Sequence, residues 1–301
     1  MAMIEVFQRP LPHGIELSCR ASGPPDAPVL LFLHGFPEAA FVWDDMLVHF
    51  STRYRCIAPN LRGYERSSAP TEVEAYRAKH LVADISALID QQGGRVEAVI
   101  AHDWGGAIGW GLAAQRPDAM RRLVIVNSPH PATFLRDLQH DSEQQAASAY
   151  MNFLCRPDAE ELLAKDDFAR LWPFFENMGA SDARHPGGGW LTEQARQSYR
   201  EVWGAGLRGG CNYYRASPLR PPTANDATVM TIRFAPEAVT VRVPTLVIWA
   251  EDDVALRPSL LDGLDEFVPD MRLVRVPGAT HWIIHERPAL IAAEIEAELV
   301  R

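Results

Sequence analysis

The sequence predicts an α/β protein with a mostly parallel sheet, interrupted by a mostly helical insertion. Three observations carry that prediction. Val96–Ile100, Gly105–Gln115 and Leu123–Val126 read as strand, helix and strand, the order a right-handed crossover in a parallel sheet requires. Val29–Leu33 is apolar throughout instead of alternating, as expected of a strand buried on both faces. The strand-and-helix rhythm then stops from Phe134 to Met230 and resumes at Thr245–Ala250.

Taken in order, Ile4–Gln8 and Ile15–Arg20 read as strands joined by the turn-forming Pro12-His13-Gly14, a hairpin. Gly23-Pro24-Pro25 breaks the chain before Val29–Leu33, and Arg55–Pro59 is a further short strand. Tyr76–Gln91 has helical apolar spacing and is stopped by Gly93-Gly94. Pro117 closes the helix that begins near Gly105. The segment that follows Leu123–Val126 holds helix-compatible stretches, the aromatic cluster Trp172, Phe174 and Phe175, and the breaker Pro186-Gly187-Gly188-Gly189. Thr245–Ala250 and Leu273–Val276 are strands, and Pro288–Val300 is a terminal amphipathic helix. The expected division is a core of residues 1–133 and 231–301 with a helical cap of residues 134–230.

Composition narrows the function. With 301 residues, 47% of them apolar and 23% charged, the chain is an ordinary globular protein able to bury a large core. Lys and Arg number 29 against 39 Asp and Glu, a net charge of −10, which argues against a nucleic-acid-binding surface. Lys79 and Lys165 are the only lysines, and the arginines are scattered. Cys19, Cys56, Cys155 and Cys211 show neither a zinc spacing nor a disulfide framework. The N-terminus carries no signal-peptide pattern, and the apolar stretches fall short of the ~20 residues that span a bilayer. The expectation is a cytoplasmic protein that uses no cofactor and no metal.

The strongest chemical signal is Ala101-His102-Asp103-Trp104-Gly105-Gly106, between a predicted strand and a predicted helix. A sharp strand-to-helix turn needs small residues two before and two after its apex, the logic of the nucleophile elbow. Asp103 stands at that apex, where a serine hydrolase has serine, beside a helix N-terminus that favours negative charge. As an isolated match, Asp103 would serve equally well as a plain helix N-cap. His34-Gly35-Phe36-Pro37 follows the strand ending at Leu33, where a backbone N–H can face the site. The Phe36 and Trp104 amides are the expected oxyanion donors, and Phe36-Pro37 is a candidate cis peptide. A carboxylate after Thr245–Ala250 and His281 after Leu273–Val276 complete a triad in the order nucleophile, acid, base. Asp253 is the expected acid, with Glu251 and Asp252 beside it as alternatives.

Together HGFPE (His34–Glu38), HDWGG (His102–Gly106), WAEDD (Trp249–Asp253) and GATHW (Gly278–Trp282) resemble the α/β-hydrolase superfamily, and within it the epoxide hydrolases. The motifs span the chain, and the resemblance implies an α/β-hydrolase core with an inserted helical cap. It implies Asp103 as nucleophile, Asp253 as charge partner, His281 as base, and the Phe36 and Trp104 amides as oxyanion hole. An aspartate nucleophile suits attack on saturated carbon, forming an alkyl ester that water then hydrolyses. Ring opening of an epoxide also needs an acid, which a phenol of pKa ~10 supplies. Asn212-Tyr213-Tyr214-Arg215 resembles the epoxide hydrolases' second cap tyrosine motif, with Tyr214 as the match and Tyr213 as its competitor. Tyr150, in Tyr150-Met151-Asn152-Phe153, resembles the first.

Haloalkane dehalogenases resemble the chain at HDWG, but carry asparagine where Phe36 stands. Fluoroacetate dehalogenases carry arginines where Trp104 and Ala107 stand. The expected function is therefore an epoxide hydrolase giving a vicinal diol. A haloalkane or haloacid dehalogenase is the alternative, and a non-catalytic ligand-binding protein on the same fold is a third. Phe36, Trp104, Trp172 and Trp282 are expected to line an apolar pocket. Asn127-Ser128-Pro129-His130-Pro131 reads as a hinge-like loop at the start of the cap. The expected partners are a small epoxide and water, with no nucleic acid and no membrane span; self-association into a homodimer is left open.

Overall fold

A computed structural model describes residues 3–301. The apolar runs form the strands. Glu5–Pro10 (β1) and Glu16–Ser22 (β2) make the expected antiparallel hairpin. Val29–Leu33 (β3) and Arg55–Pro59 (β4) are buried along their whole length. Val96–His102 (β5), Met120–Val126 (β6), Thr245–Ala250 (β7) and Met271–Val276 (β8) complete one eight-stranded sheet in the order β1-β2-β4-β3-β5-β6-β7-β8. Pairing is antiparallel at β1–β2 and β2–β4 and parallel from β4 to β8.

Helices cover both faces, as a parallel sheet demands. Asp44–Phe50 (α1) was not anticipated; it follows a 3₁₀ turn at Ala40–Trp43 and buries Met46, Leu47 and Phe50. Ala78–Asp90 (α2) is preceded by a second 3₁₀ turn, Val73–Tyr76, so the expected helix begins two residues late. Trp104–Gln115 (α3) completes the crossover between β5 and β6. Along β3, Leu31 and Leu33 share a core with Ile85 of α2 and Ile108 of α3. Leu30 and Phe32 face the opposite core, which holds α1 residues and Ile291 and Ile295 of the terminal helix.

Between β6 and β7 the described chain forms helices and one isolated bridge, Thr223 to Asp226. In order these are Pro131–His140 (α4), Ser142–Ala147 (α5), Tyr150–Leu154 (α6), Ala159–Phe168 (α7), Trp172–Glu176 (α8), Glu193–Gly204 (α9), Arg208–Ala216 (α10) and Pro236–Val239 (α11). The 133/134 boundary falls inside α4. This helix starts earlier because Pro131 opens it and the His130 ring accepts the Ala132 N–H at 3.3 Å. Ile283–Glu286 (α12) and Pro288–Leu299 (α13) end the chain. Among the described residues no helix is long and apolar enough to cross a membrane.

Candidate active site

Strand order reverses between β3 and β5, and the loops leaving the C-terminal ends of β3, β5, β6, β7 and β8 meet above that switch point. Asp103 forms the bend from β5 into α3 with φ 50° and ψ −122°, a conformation rare for a residue with a side chain. The bend closes only because its neighbours are small. A Cβ on Gly105 would come 2.5 Å from the Leu33 carbonyl oxygen, and one on Gly106 would overlap Ser128. Across the site, a Cβ on Gly35 would overlap the Asp103 carboxylate itself.

That close approach lets the Phe36 amide donate to Asp103 Oδ1 at 2.7 Å. The Phe36-Pro37 peptide is cis. Trp104 opens α3 beside Asp103, but among the described residues its amide makes no hydrogen bond to the carboxylate. His281 places Nε2 3.7 Å from Asp103 Oδ2 and donates from Nδ1 to Asp253 Oδ2 at 2.7 Å. Asp253, not its neighbours, meets the histidine. Glu251 turns outward to Arg275 at 2.8 Å, and Asp252 is exposed.

Asp253 is fully buried and well supplied with donors: Asn127 Nδ2 at 2.8 Å, and the Ala255 and Leu256 amides at 2.8 and 2.9 Å. Burial pushes its pKa up, but the His281 ring and these donors outweigh burial and hold it below the ordinary aspartate value. For His281, burial pushes the pKa down, and the Asp253, Asp103 and Glu38 charges outweigh it, raising the ring to about 9.

Several supporting residues were not anticipated. Asn127, with φ 38°, grips both sides of the acid loop, since its Oδ1 accepts the Ala250 N–H at 2.8 Å. Ser128 Oγ donates to the Asp103 carbonyl at 2.7 Å. The loop read as hinge-like is thus bonded to both Asp253 and Asp103. His102 Nε2 donates to the His281 carbonyl at 2.9 Å, and its Nδ1 lies 3.4 Å from Glu38 Oε2. Burial opposes the charge on Glu38, yet His285 and His102 hold its carboxyl well below the usual range. Both Glu38 and His102 lay inside the quoted motifs, which was their one signal.

Two lobes of an apolar cavity, about 100 and 250 Å³, both contain Asp103, Tyr150 and Tyr214 in their walls. Trp104, Pro131, Phe134, Met151 and Leu256 line the smaller lobe. Phe36, Phe174, Met178, His281 and Trp282 line the larger. Tyr150 and Tyr214 adjoin, with ring centroids 6.1 Å apart, and among the described residues neither hydroxyl is bonded to a backbone carbonyl or a carboxylate. Burial, then Asp103 and Asp253, raise the Tyr150 phenol well above its ordinary value; burial, then Tyr150 and Asp103, do the same for Tyr214. Tyr213 points away and donates to the Arg62 carbonyl at 3.0 Å.

Trp172 is a correction: it lines neither lobe. Its indole donates to the Asp167 carbonyl at 2.8 Å, and its ring packs on Trp203 at 4.6 Å under Arg196 and Arg200, so it is cap interior. His130 is likewise occupied elsewhere, bonded to the Val239 carbonyl at 2.9 Å and stacked on Phe267.

A family model for the alpha/beta hydrolase fold matches residues 28–288. The AB hydrolase superfamily protein YfhM of Bacillus subtilis (strain 168) is 33% identical over 284 residues, covering 93% of this chain and 92% of that protein. Epoxide hydrolase 4 of Mus musculus is 30% identical over 290 residues, covering 95% of this chain and 77% of that protein. A crystal structure of the Bacillus megaterium epoxide hydrolase in complex with an inhibitor matches with a TM-score of 0.88 at 29% identity, covering 98% of this chain and 100% of that chain. With an aspartate at the elbow, a histidine and acid behind it, and these relatives along its length, the chain belongs to the α/β-hydrolase family, among the epoxide hydrolases.

Proposed function

We propose that the protein hydrolyses a neutral, lipophilic epoxide to a vicinal diol through an alkyl ester on Asp103. The observation that carries this reading is the carboxylate at the elbow sharing an apolar cavity with two phenols that, among the described residues, bond no backbone carbonyl or carboxylate. Asp103 Oδ2 attacks an epoxide carbon and the ring C–O bond breaks. The ring oxygen takes a proton from Tyr150 or Tyr214, phenols supplied by the 134–230 cap. Phenols of pKa ~10 are protonated at neutral pH, as an acid for an alkoxide must be, and burial raises both further.

Ester formation removes the negative charge of Asp103. One of the carboxylates that hold His281 protonated is then gone, so the ring gives up its proton, which restores the phenol left as phenolate by ring opening, and the neutral ring becomes a base. His281 takes a proton from water, whose oxygen attacks the Asp103 carboxyl carbon. The negative charge gathers on Oδ1, where the Phe36 amide points. Collapse expels the diol oxygen, which takes the proton held by His281; the carboxylic acid left at Asp103 then passes its proton to His281, returning the carboxylate and the protonated ring.

The test is a turnover panel of aromatic, terminal and fatty-acid epoxides beside chlorinated and brominated alkanes. Diol formation that disappears in Asp103→Asn is expected. Halide release without diol from any epoxide would transfer the reading to dehalogenation, and tight binding without turnover of either class would remove catalysis.

A further inference from the structure

We infer that the cap positions the oxyanion donor: Trp203 and Tyr199, on α9, hold the 36–38 turn so that the Phe36 amide meets Asp103. The inference rests on the ester mechanism proposed above and adds two positioning residues to it. Trp203 Nε1 donates to the Pro37 carbonyl at 2.7 Å, and Tyr199 OH donates to Glu38 Oε1 at 2.7 Å. Both side chains are buried, Tyr199 at 0% and Trp203 at 2% exposure. They therefore cross from cap to core in a dry environment, where a hydrogen bond fixes geometry strongly.

The turn has support from the core as well. Glu38 N–H closes it onto the Gly35 carbonyl at 3.1 Å, and His285 Nε2 shares Glu38 Oε1 at 2.6 Å. The first of these holds the donor peptide itself, because the Gly35 carbonyl and the Phe36 N–H belong to one peptide. Trp203 bonds the Pro37 carbonyl, which shares a peptide with that Glu38 N–H, and so fixes the plane of the group that holds the donor. The cap therefore fixes the donor and does more than cover the cavity.

The consequence falls unequally on the two chemical steps. During alkylation charge leaves the Asp103 carboxylate, so a loosened Phe36 donor costs little. During hydrolysis charge returns to Oδ1 in the tetrahedral species, where that donor is needed. A role limited to packing would slow both steps or lower stability without this asymmetry.

Trp203→Phe and Trp172→Phe form a matched pair, because each removes one indole bond to a backbone carbonyl and only that of Trp203 reaches the turn. Rapid quench with intact-mass detection of the alkyl-enzyme, on a turned-over epoxide, reads both steps. Losing a whole oxyanion donor costs roughly 100- to 1,000-fold, so Trp203→Phe is expected to slow hydrolysis about tenfold while alkylation stays within about threefold. The alkyl-enzyme then accumulates in Trp203→Phe and not in Trp172→Phe. Tyr199→Phe is expected to shift the balance in the same direction and serves where Trp203→Phe does not fold. Folded Trp203→Phe or Tyr199→Phe protein with the wild-type ratio of the two rates would overturn the inference. Absence of any ester in wild type during diol formation is a different result: it removes the mechanism itself and the inference with it.

Discussion

Tyr213 and Tyr214 are adjacent in the chain but have different surroundings, because one helical step turns the first toward the core and the second into the cavity. Tyr214→Phe is expected to slow alkylation roughly 10- to 100-fold, and the double change with Tyr150→Phe to remove it, as general acids contribute about 100-fold or more. Tyr213→Phe is expected to leave alkylation unchanged and lower stability by about 1 kcal/mol through its lost bond to Arg62. Single-turnover kinetics and urea unfolding separate the two. His281 adds a pH signature. Its pKa is raised from 6.5 to about 9, so its contribution to stability is complete below 6.5 and is lost as pH rises through about 9. Asp253 is lowered from 3.8, so its contribution is present above that value and is lost as pH falls. Urea unfolding is expected to show stability declining between pH 7 and 9, and a flatter profile in His281→Asn. A decline of equal slope in the variant would contradict the assignment.

At the scale of elements, the site depends on two tight approaches, β3's loop to the elbow and the elbow to β6's loop. Gly35→Ala is expected to abolish turnover while leaving the sheet folded, because the nearest atoms its Cβ overlaps are all in the Asp103 side chain. Circular dichroism and an activity assay on the same sample check it. Strands buried on both faces were readable from residue type alone: β4 and β7 have the bounds expected from Arg55–Pro59 and Thr245–Ala250. The elbow was readable because its turn restricts side-chain size over a few consecutive residues. What was not readable depended on distant partners. Asn127 earns its place through Asp253 and Ala250, 126 and 123 residues away, and no local pattern encodes that. Trp172 was misread because an aromatic residue in a short helix packs a cap interior or lines a cavity with the same composition. The helix α1, seven residues after a 3₁₀ turn, is too short for its periodicity to stand out.

Across the whole molecule, the helices between β6 and β7 meet the rest of the chain over backbone as well as side chains. A Cβ on Gly209 of α10 would overlap the Gly63 carbonyl, and Tyr213 reaches Arg62 beside it. Arg62 is itself buried and bidentate to Asp84, at 2.8 and 2.6 Å, with a further bond to the Ala75 carbonyl at 2.7 Å. Removing Arg62 leaves the buried Asp84 carboxylate with only His13, 2.6 Å from Oδ1, so Arg62→Met is expected to cost about 3 kcal/mol, and Arg62→Met with Asp84→Leu to recover part of it. Urea unfolding of both variants decides this; equal losses would mean the guanidinium acts mainly through Ala75 and the packing around it. The same ion pair lies under the cap's docking seam, so Arg62→Met is also expected to loosen the seam, seen as faster proteolysis within 134–230.

The central claim is that oxygen passes to the epoxide from Asp103 and not directly from water. One enzyme-excess turnover in H₂¹⁸O tests it. The account predicts an unlabelled diol and one ¹⁸O in the peptide that contains Asp103. A first-turnover diol carrying ¹⁸O, with that peptide unlabelled, would contradict it.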